Sequence, residues 1–280
     1  MTLKKTVKAI LSALLYFGIY FVWQGITGFW AGLGYSVYAV WRYGEVADIS
    51  TLATQFALDY SLHITLIANV LALVTYIFVF RMRKMNFTRE VGFTRLGFVP
   101  AAVTFLLGLA LNLFVAVAIS FIPFPEAWWR DYEYLASTIP EAPEVITLLS
   151  VVIMTPVIEE VVLRGLFYGR LKRGMPMFAA MLISSWLFGL IHGTPIWIIY
   201  ASLMGFILVW IYEKYRSLIA SVLFHFGFNL GGFVLGYLED VPSIAVIASF
   251  ALSVGLIAYV QRTAPGKIEF TVPKADITDR

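Results

Sequence analysis

The sequence predicts an all-α, polytopic transmembrane helical bundle of about eight spans, with both termini in the cytoplasm. Three observations carry that prediction. Of 280 residues, 60% are hydrophobic and 13% charged, about half the charged fraction that coats an ordinary soluble domain. Mean hydropathy is +0.84. Apolar stretches of about 20 residues, the length that crosses a hydrocarbon core, recur along the chain. The composition excludes an ordinary soluble enzyme, a disordered chain and a nucleic-acid binder. A net charge of +3 does not ask for a polyanionic partner. There is no cysteine, so disulfides, thiolate catalysis, thiolate metal sites and cysteine lipidation are excluded. Any imidazole chemistry belongs to His63, His192 or His225.

The spans fall at about 8–31, 60–80, 99–121, 145–170, 177–193, 196–212, 217–237 and 242–260. The first follows Lys4, Lys5 and Lys8. Its apolar run continues past Phe29, longer than a secretory signal, so it reads as an uncleaved span. Residues 32–58 form a long aromatic loop that suits an interfacial helix. Gly193-Thr194-Pro195 reads as a tight turn. Residues 261–280 form a polar tail in which Pro265 and Gly266 break any helix. No repeat of 20–50 residues is visible. The chain therefore reads as one membrane domain, 1–280. Residues 1–144 carry no recognised motif, 145–235 are the candidate catalytic core, and 261–280 are the cytoplasmic tail.

Loop charges orient the bundle. Residues 81–95 carry five basic residues against Glu90, 170–173 carry Arg170, Lys172 and Arg173, and 213–216 carry Lys214 and Arg216. Between them, 122–144 carry Glu126, Asp131, Glu133, Glu141 and Glu144 against Arg130, and 239–240 is Glu-Asp. Basic loops belong in the cytoplasm. Trp128, Trp129, Tyr132 and Tyr134 then belong at the outer interface.

Ionisable groups inside spans are costly, so they are functional hypotheses by default. Glu160 and Arg164 are four apart, about 40° from each other on a helix, and can pair. Glu159 stands about 100° from Glu160 and about 140° from Arg164, which leaves it the less satisfied carboxylate. A carboxylate in that position is a candidate general base. Pro156 removes a backbone donor and can kink the helix beside it. Phe188 lies one turn before His192 on the same face, and Gly189 leaves room for a neighbouring helix. His192 could orient a water, shuttle a proton or bind metal. His225 and Asn229 share a face and can both donate hydrogen bonds, which suits a developing oxyanion. Each motif also has a structural reading: Glu160–Arg164 as an intramembrane pair, His192 as a packing donor, His225 and Asn229 as glue between helices. His63, near Asp59, reads as structural.

There is no HExxH, no aspartate pair in a GxGD context, no serine nucleophile turn and no phosphate loop. The three motifs that are present, Glu159-Glu160…Arg164, Phe188…His192 and His225…Asn229, stand in the order EExxxR, FxxxH, HxxxN. In this the chain resembles the type II CAAX prenyl endopeptidase family, also called Abi or CPBP, over roughly residues 145–235. The resemblance implies a glutamate-dependent intramembrane endopeptidase that requires no metal or other cofactor. By that analogy Glu159 with His192 activates a water, His225 and Asn229 stabilise the oxyanion, and Glu160, Arg164 and Phe188 support the site. The partners it implies are the lipid bilayer and a membrane-associated protein or lipidated peptide, and no nucleic acid. The membrane is the plasma membrane in a prokaryote and the endoplasmic reticulum in a eukaryote. Three other readings stay open: a zinc-dependent form of the same protease, a non-catalytic immunity or scaffold protein, and a proton-coupled transporter. One tension accompanies the analogy. Counted along ideal helices, Glu159 lies about 18 Å from the cytoplasmic end of its span, His225 about 12 Å and His192 about 22 Å, so the groups must be brought level to share one water.

Overall fold

The computed structural model describes residues 3–44, 48–137, 143–238 and 241–266. Glu141, the acidic turn at 239–240 and the tail from 267 onward lie outside the described residues. Every regular element described is helical. In order these are α1 (Leu3–Tyr43), α2 (Ile49–Asp59), α3 (Ser61–Met82), the short α4 (Phe87–Val91), α5 (Phe98–Ala118), α6 (Glu126–Ser137), α7 (Glu144–Leu171), α8 (Met177–Leu190), α9 (Pro195–Tyr215), α10 (Leu218–Leu235) and α11 (Ser243–Thr263). Seven of them, α1, α3, α5, α7, α9, α10 and α11, are long and apolar enough to cross a membrane.

Two expectations change. The fifth span is only the 14-residue α8, about 21 Å long against a hydrocarbon core of about 30 Å, and it packs along α9. The first helix does not stop at residue 31. It runs 41 residues, about 61 Å, because Gly32 and Gly34 alone lower helix propensity without breaking the backbone ladder. It ends where Gly44 adopts a left-handed φ of +77°, a conformation a side chain disfavours. The interfacial stretch is thereby reduced to α2, whose first turn is capped by Asp48. The Thr51 hydroxyl, the Thr51 N–H and the Ser50 hydroxyl hold the Asp48 carboxyl below the ordinary aspartate range.

The basic loops gather at one end of the bundle. Glu90 pairs with Arg170 and Arg173, each at 3.1 Å, and Lys172 pairs with Glu213 at 2.6 Å. Two hydrogen bonds tie Thr94 to the 216–217 turn at the same end, Thr94 Oγ1 to Arg216 O and Ser217 Oγ to Thr94 O, each 2.7 Å. Both described ends of the chain arrive there too: Thr6 Oγ1 donates to Gly174 O at 2.7 Å, and Gly266 N to Lys214 O at 2.7 Å. At the other end, Tyr132 of α6 meets Trp197 of α9 edge-to-face at 5.7 Å. The segregation of basic from acidic loops along the sequence is therefore a segregation in space.

The centre of the bundle is α7. Residues 158–169 are buried without interruption, whereas most other spans keep apolar side chains exposed toward the surroundings. Close approach of helices relies on glycines. A Cβ at Gly227 would meet Phe105 O, and one at Gly108 would meet Phe224 O, so α5 and α10 touch backbone to backbone. A Cβ at Gly189 would meet Ser202 and Ile198 O, which joins α8 to α9 in the same way.

Candidate active site

Glu159 and Glu160 close a short α-helical stretch, Thr155–Glu160, between two π-helical stretches, Leu148–Met154 and Val161–Tyr168. π turns are rare and recur at functional sites. They place more residues in each turn, so the 12 residues from Glu159 to Leu171 cover less depth than in a regular α-helix. That shortening works in the direction needed to level Glu159 with His225.

Arg164 Nη1 donates to Glu160 Oε1 at 2.8 Å, with both side chains fully buried. Arg164 Nη2 donates to Gly205 O of α9 at 3.2 Å. The guanidinium also lies over the Phe188 ring at 4.4 Å, a favourable cation–π contact in a dry setting. His225 Nδ1 stands 3.0 Å from the same Glu160 oxygen. A carboxylate oxygen accepts, so Nδ1 carries the proton and donates it. His225 Nε2 is thereby turned to Glu159, 3.7 Å from Oε2. Glu159 receives nothing from Arg164 through a direct bond, in keeping with its helical angle.

Phe188 is the hub of the aromatic side of the site. Its ring meets His192 at 4.8 Å and His225 at 5.7 Å, both near edge-on. His192 lies in the turn just beyond α8. Its Nδ1 is 2.6 Å from Phe188 O, which must accept, so Nδ1 holds the proton and Nε2 is left as the base nitrogen of the neutral ring. Among the described residues no hydrogen bond or ion pair joins His192 to either glutamate; the imidazole beside Glu159 is His225.

Asn229 Nδ2 donates to Val151 O of α7 at 2.9 Å. The reason lies in Pro156. In the π register Thr155 N bonds to Ser150 O, so the next donor in that register would be residue 156, bonding to Val151 O. Proline has no N–H, and the Asn229 amide satisfies the carbonyl it leaves open. One further amide hydrogen and the Asn229 oxygen remain for other partners.

The structure thus brings Glu159, Glu160, Arg164, Phe188 and His225 into one contiguous cluster. Asn229 joins it through the α7 backbone and His192 through Phe188. His63 is elsewhere in its contacts, with Tyr60 at 5.5 Å. Among the described residues no group of three or more His, Asp or Glu side chains is arranged to hold a metal ion. The carbonyls of Val151 and Gly205 are partners that a motif search does not find. Pro156 was the visible signal for the first, but the register that selects Val151 is not.

Comparison with known proteins adds one finding. No curated protein and no solved structure matches the chain. Residues 141–231, about a third of the chain and the segment holding all three motifs, match the family model described as Type II CAAX prenyl endopeptidase Rce1-like, the same family that the motifs resemble.

Proposed function

We propose that the protein is a glutamate-dependent intramembrane endopeptidase, with CAAX-type prenylated C-terminal tails as its substrate class. The family match supports the coarser statement, a hydrolase acting on peptides within a multi-pass membrane protein. The observation that carries the mechanism is the Glu159–His225 pair at 3.7 Å. That gap is beyond direct hydrogen bonding and suits one water oxygen touching both groups.

Glu159 takes a proton from that water, and the oxygen adds to the scissile carbonyl carbon. The oxyanion receives hydrogen bonds from His225 Nε2–H and the remaining Asn229 N–H. The C–N bond then breaks, and Glu159 returns its proton to the leaving amine. With Nδ1–H held by Glu160, donation from Nε2 as well requires the imidazolium form of His225. Glu160 and Arg164 fix the imidazole, Phe188 packs against Arg164 and His225, and His192, against the same ring, offers Nε2 as a second proton acceptor.

The test is cleavage of a farnesylated CAAX peptide by purified full-length protein, wild type beside Glu159→Gln, each with and without a chelator. Chelator-resistant cleavage that falls by about 10²–10⁴-fold in the variant is expected for loss of a general base. Cleavage abolished by chelator and restored by zinc would replace this reading with the metal-dependent one. No cleavage by wild type would remove prenylated tails as the substrate class.

A further inference from the structure

The spans before residue 141 lie outside the matched segment, yet one of their side chains reaches the helix that carries the site. Asn69 of α3 is fully buried, as are Ala68 and Ala72 near it. An amide in such a place is costly unless both its ends are paired, and both are. Its Oδ1 accepts from Gln24 Nε2 of α1 at 2.8 Å, and its Nδ2 donates to Thr155 Oγ1 of α7 at 3.2 Å. The Gln24 bond fixes which end of the amide meets α7, because only the oxygen can accept it. A second bond, Ser150 Oγ to Leu62 O at 3.1 Å, ties α3 to α7 within the first π stretch, Leu148–Met154. Thr155 follows that stretch directly.

A threonine hydroxyl inside a helix commonly turns back to a carbonyl three or four residues earlier. Thr27, Thr54, Thr75, Thr104 and Thr263 all do so to the carbonyl four back, at 2.8 or 2.9 Å. For Thr155 the carbonyl four back is Val151 O, the one that Pro156 leaves open and that Asn229 Nδ2 occupies at 2.9 Å. A hydroxyl turned onto Val151 O would load that oxygen and bend α7, where the Asn229 amide is held. We infer that Asn69 is a positioning residue for Asn229. By holding Thr155 Oγ1 toward α3, it keeps the hydroxyl from Val151 O and leaves that carbonyl to the Asn229 amide. The effect on turnover rests on Asn229 being an oxyanion donor in the proposed reaction. Thr75 supplies a control: it accepts from Trp23 Nε1 at 2.9 Å, a bond that joins α1 to α3 and does not touch α7.

The chain holds four asparagines, Asn69, Asn86, Asn112 and Asn229, so asparagine-selective ¹⁵N labelling of the full chain resolves the side-chain amides, and the Asn229 signal is the one missing from Asn229→Ala. This readout needs no cleavage. Asn69→Leu strips the donor from Thr155 and is expected to shift the Asn229 signal. In the cleavage assay it is expected to lower kcat per folded protein by about tenfold, part of the loss that a missing oxyanion donor brings, with KM held within about twofold. Adding Thr155→Val removes the freed hydroxyl, so neither partner is left unpaired. The double variant is expected to return the signal to its wild-type position and kcat to within about threefold of wild type. A role in packing alone predicts no such recovery. Trp23→Phe is expected to leave the signal in place. Where Asn69→Leu does not fold, Asn69→Ala with and without Thr155→Val makes the same comparison. An unshifted Asn229 signal in the Asn69 variant, or a shift that persists in the double variant, would overturn the inference. A wild type that cleaves no peptide but shows the shift and its recovery would fail the proposed activity and leave the positioning of Asn229 standing.

Discussion

Glu160 Oε1 receives two donors, Arg164 Nη1 at 2.8 Å and His225 Nδ1 at 3.0 Å, and so works as the clamp between two helices while its neighbour Glu159 is left to face Nε2. Adjacent residues differ in role because a helix turns about 100° between them. The buried pair makes a sharp prediction. Arg164→Leu leaves Glu160 charged and without its main counter-ion in a dry setting, and is expected to destabilise the fold by about 3–5 kcal/mol. Glu159→Gln disturbs no direct hydrogen bond or arginine contact and is expected to keep the wild-type melting temperature. Thermal unfolding in detergent of the two variants side by side checks both. An equal loss in both would show that Glu159 also supports the structure.

At the scale of the element, α7 carries the site on a helix that changes register twice. Pro156 and Asn229 are a matched pair: one withholds a backbone donor and the other supplies it to Val151 O. Pro156→Ala restores an N–H that can bond to Val151 O and release the Asn229 amide. Cleavage is expected to fall while the melting temperature holds or rises, since removing proline from a helix interior gains a backbone bond. Unchanged turnover in that variant would show that the Asn229–Val151 bond does not position the site. The α5–α10 contact gives a second prediction. Gly227→Val puts a side chain where Phe105 O now lies, and prying the helices apart is expected to cost about 1–3 kcal/mol. Because His225 and Asn229 flank Gly227 on α10, activity is expected to fall further than stability; the ratio of turnover to folded fraction measures this.

For the whole molecule, all described basic loops and both described chain ends meet at one end. The positive-inside rule then predicts that this end faces the cytoplasm. The absence of cysteine makes the test clean, since each introduced thiol is the only one. A membrane-impermeant maleimide is expected to label Tyr134→Cys in intact cells, and Arg95→Cys only after permeabilisation. The reverse pattern would invert the topology and place Glu159 nearer the outer surface than the proposed substrate access requires.

The sequence by itself determined the class of the molecule. Composition and apolar run length are sums over many residues, so an all-helical bundle of many spans follows from them with little dependence on detail, whereas the count of eight falls to seven long helices because the fifth is only 14 residues. Helical spacing is local as well, which is why Glu160 with Arg164, and Glu159 left apart, were legible from numbers four and one apart. The loop read at 32–58 failed for a related reason: nothing local ends α1 before Gly44, and no soft propensity rule separates a long projecting helix from a loop. Only the tertiary structure decided which imidazole faces Glu159. That choice depends on how α7, α8 and α10 sit in depth and rotation, and two π-helical stretches shift both without a mark in the spelling. It also decided that Asn229 answers Pro156 and that Asn69 links α1 to α7, because partners 78 and 86 residues apart are set by packing, not by spacing.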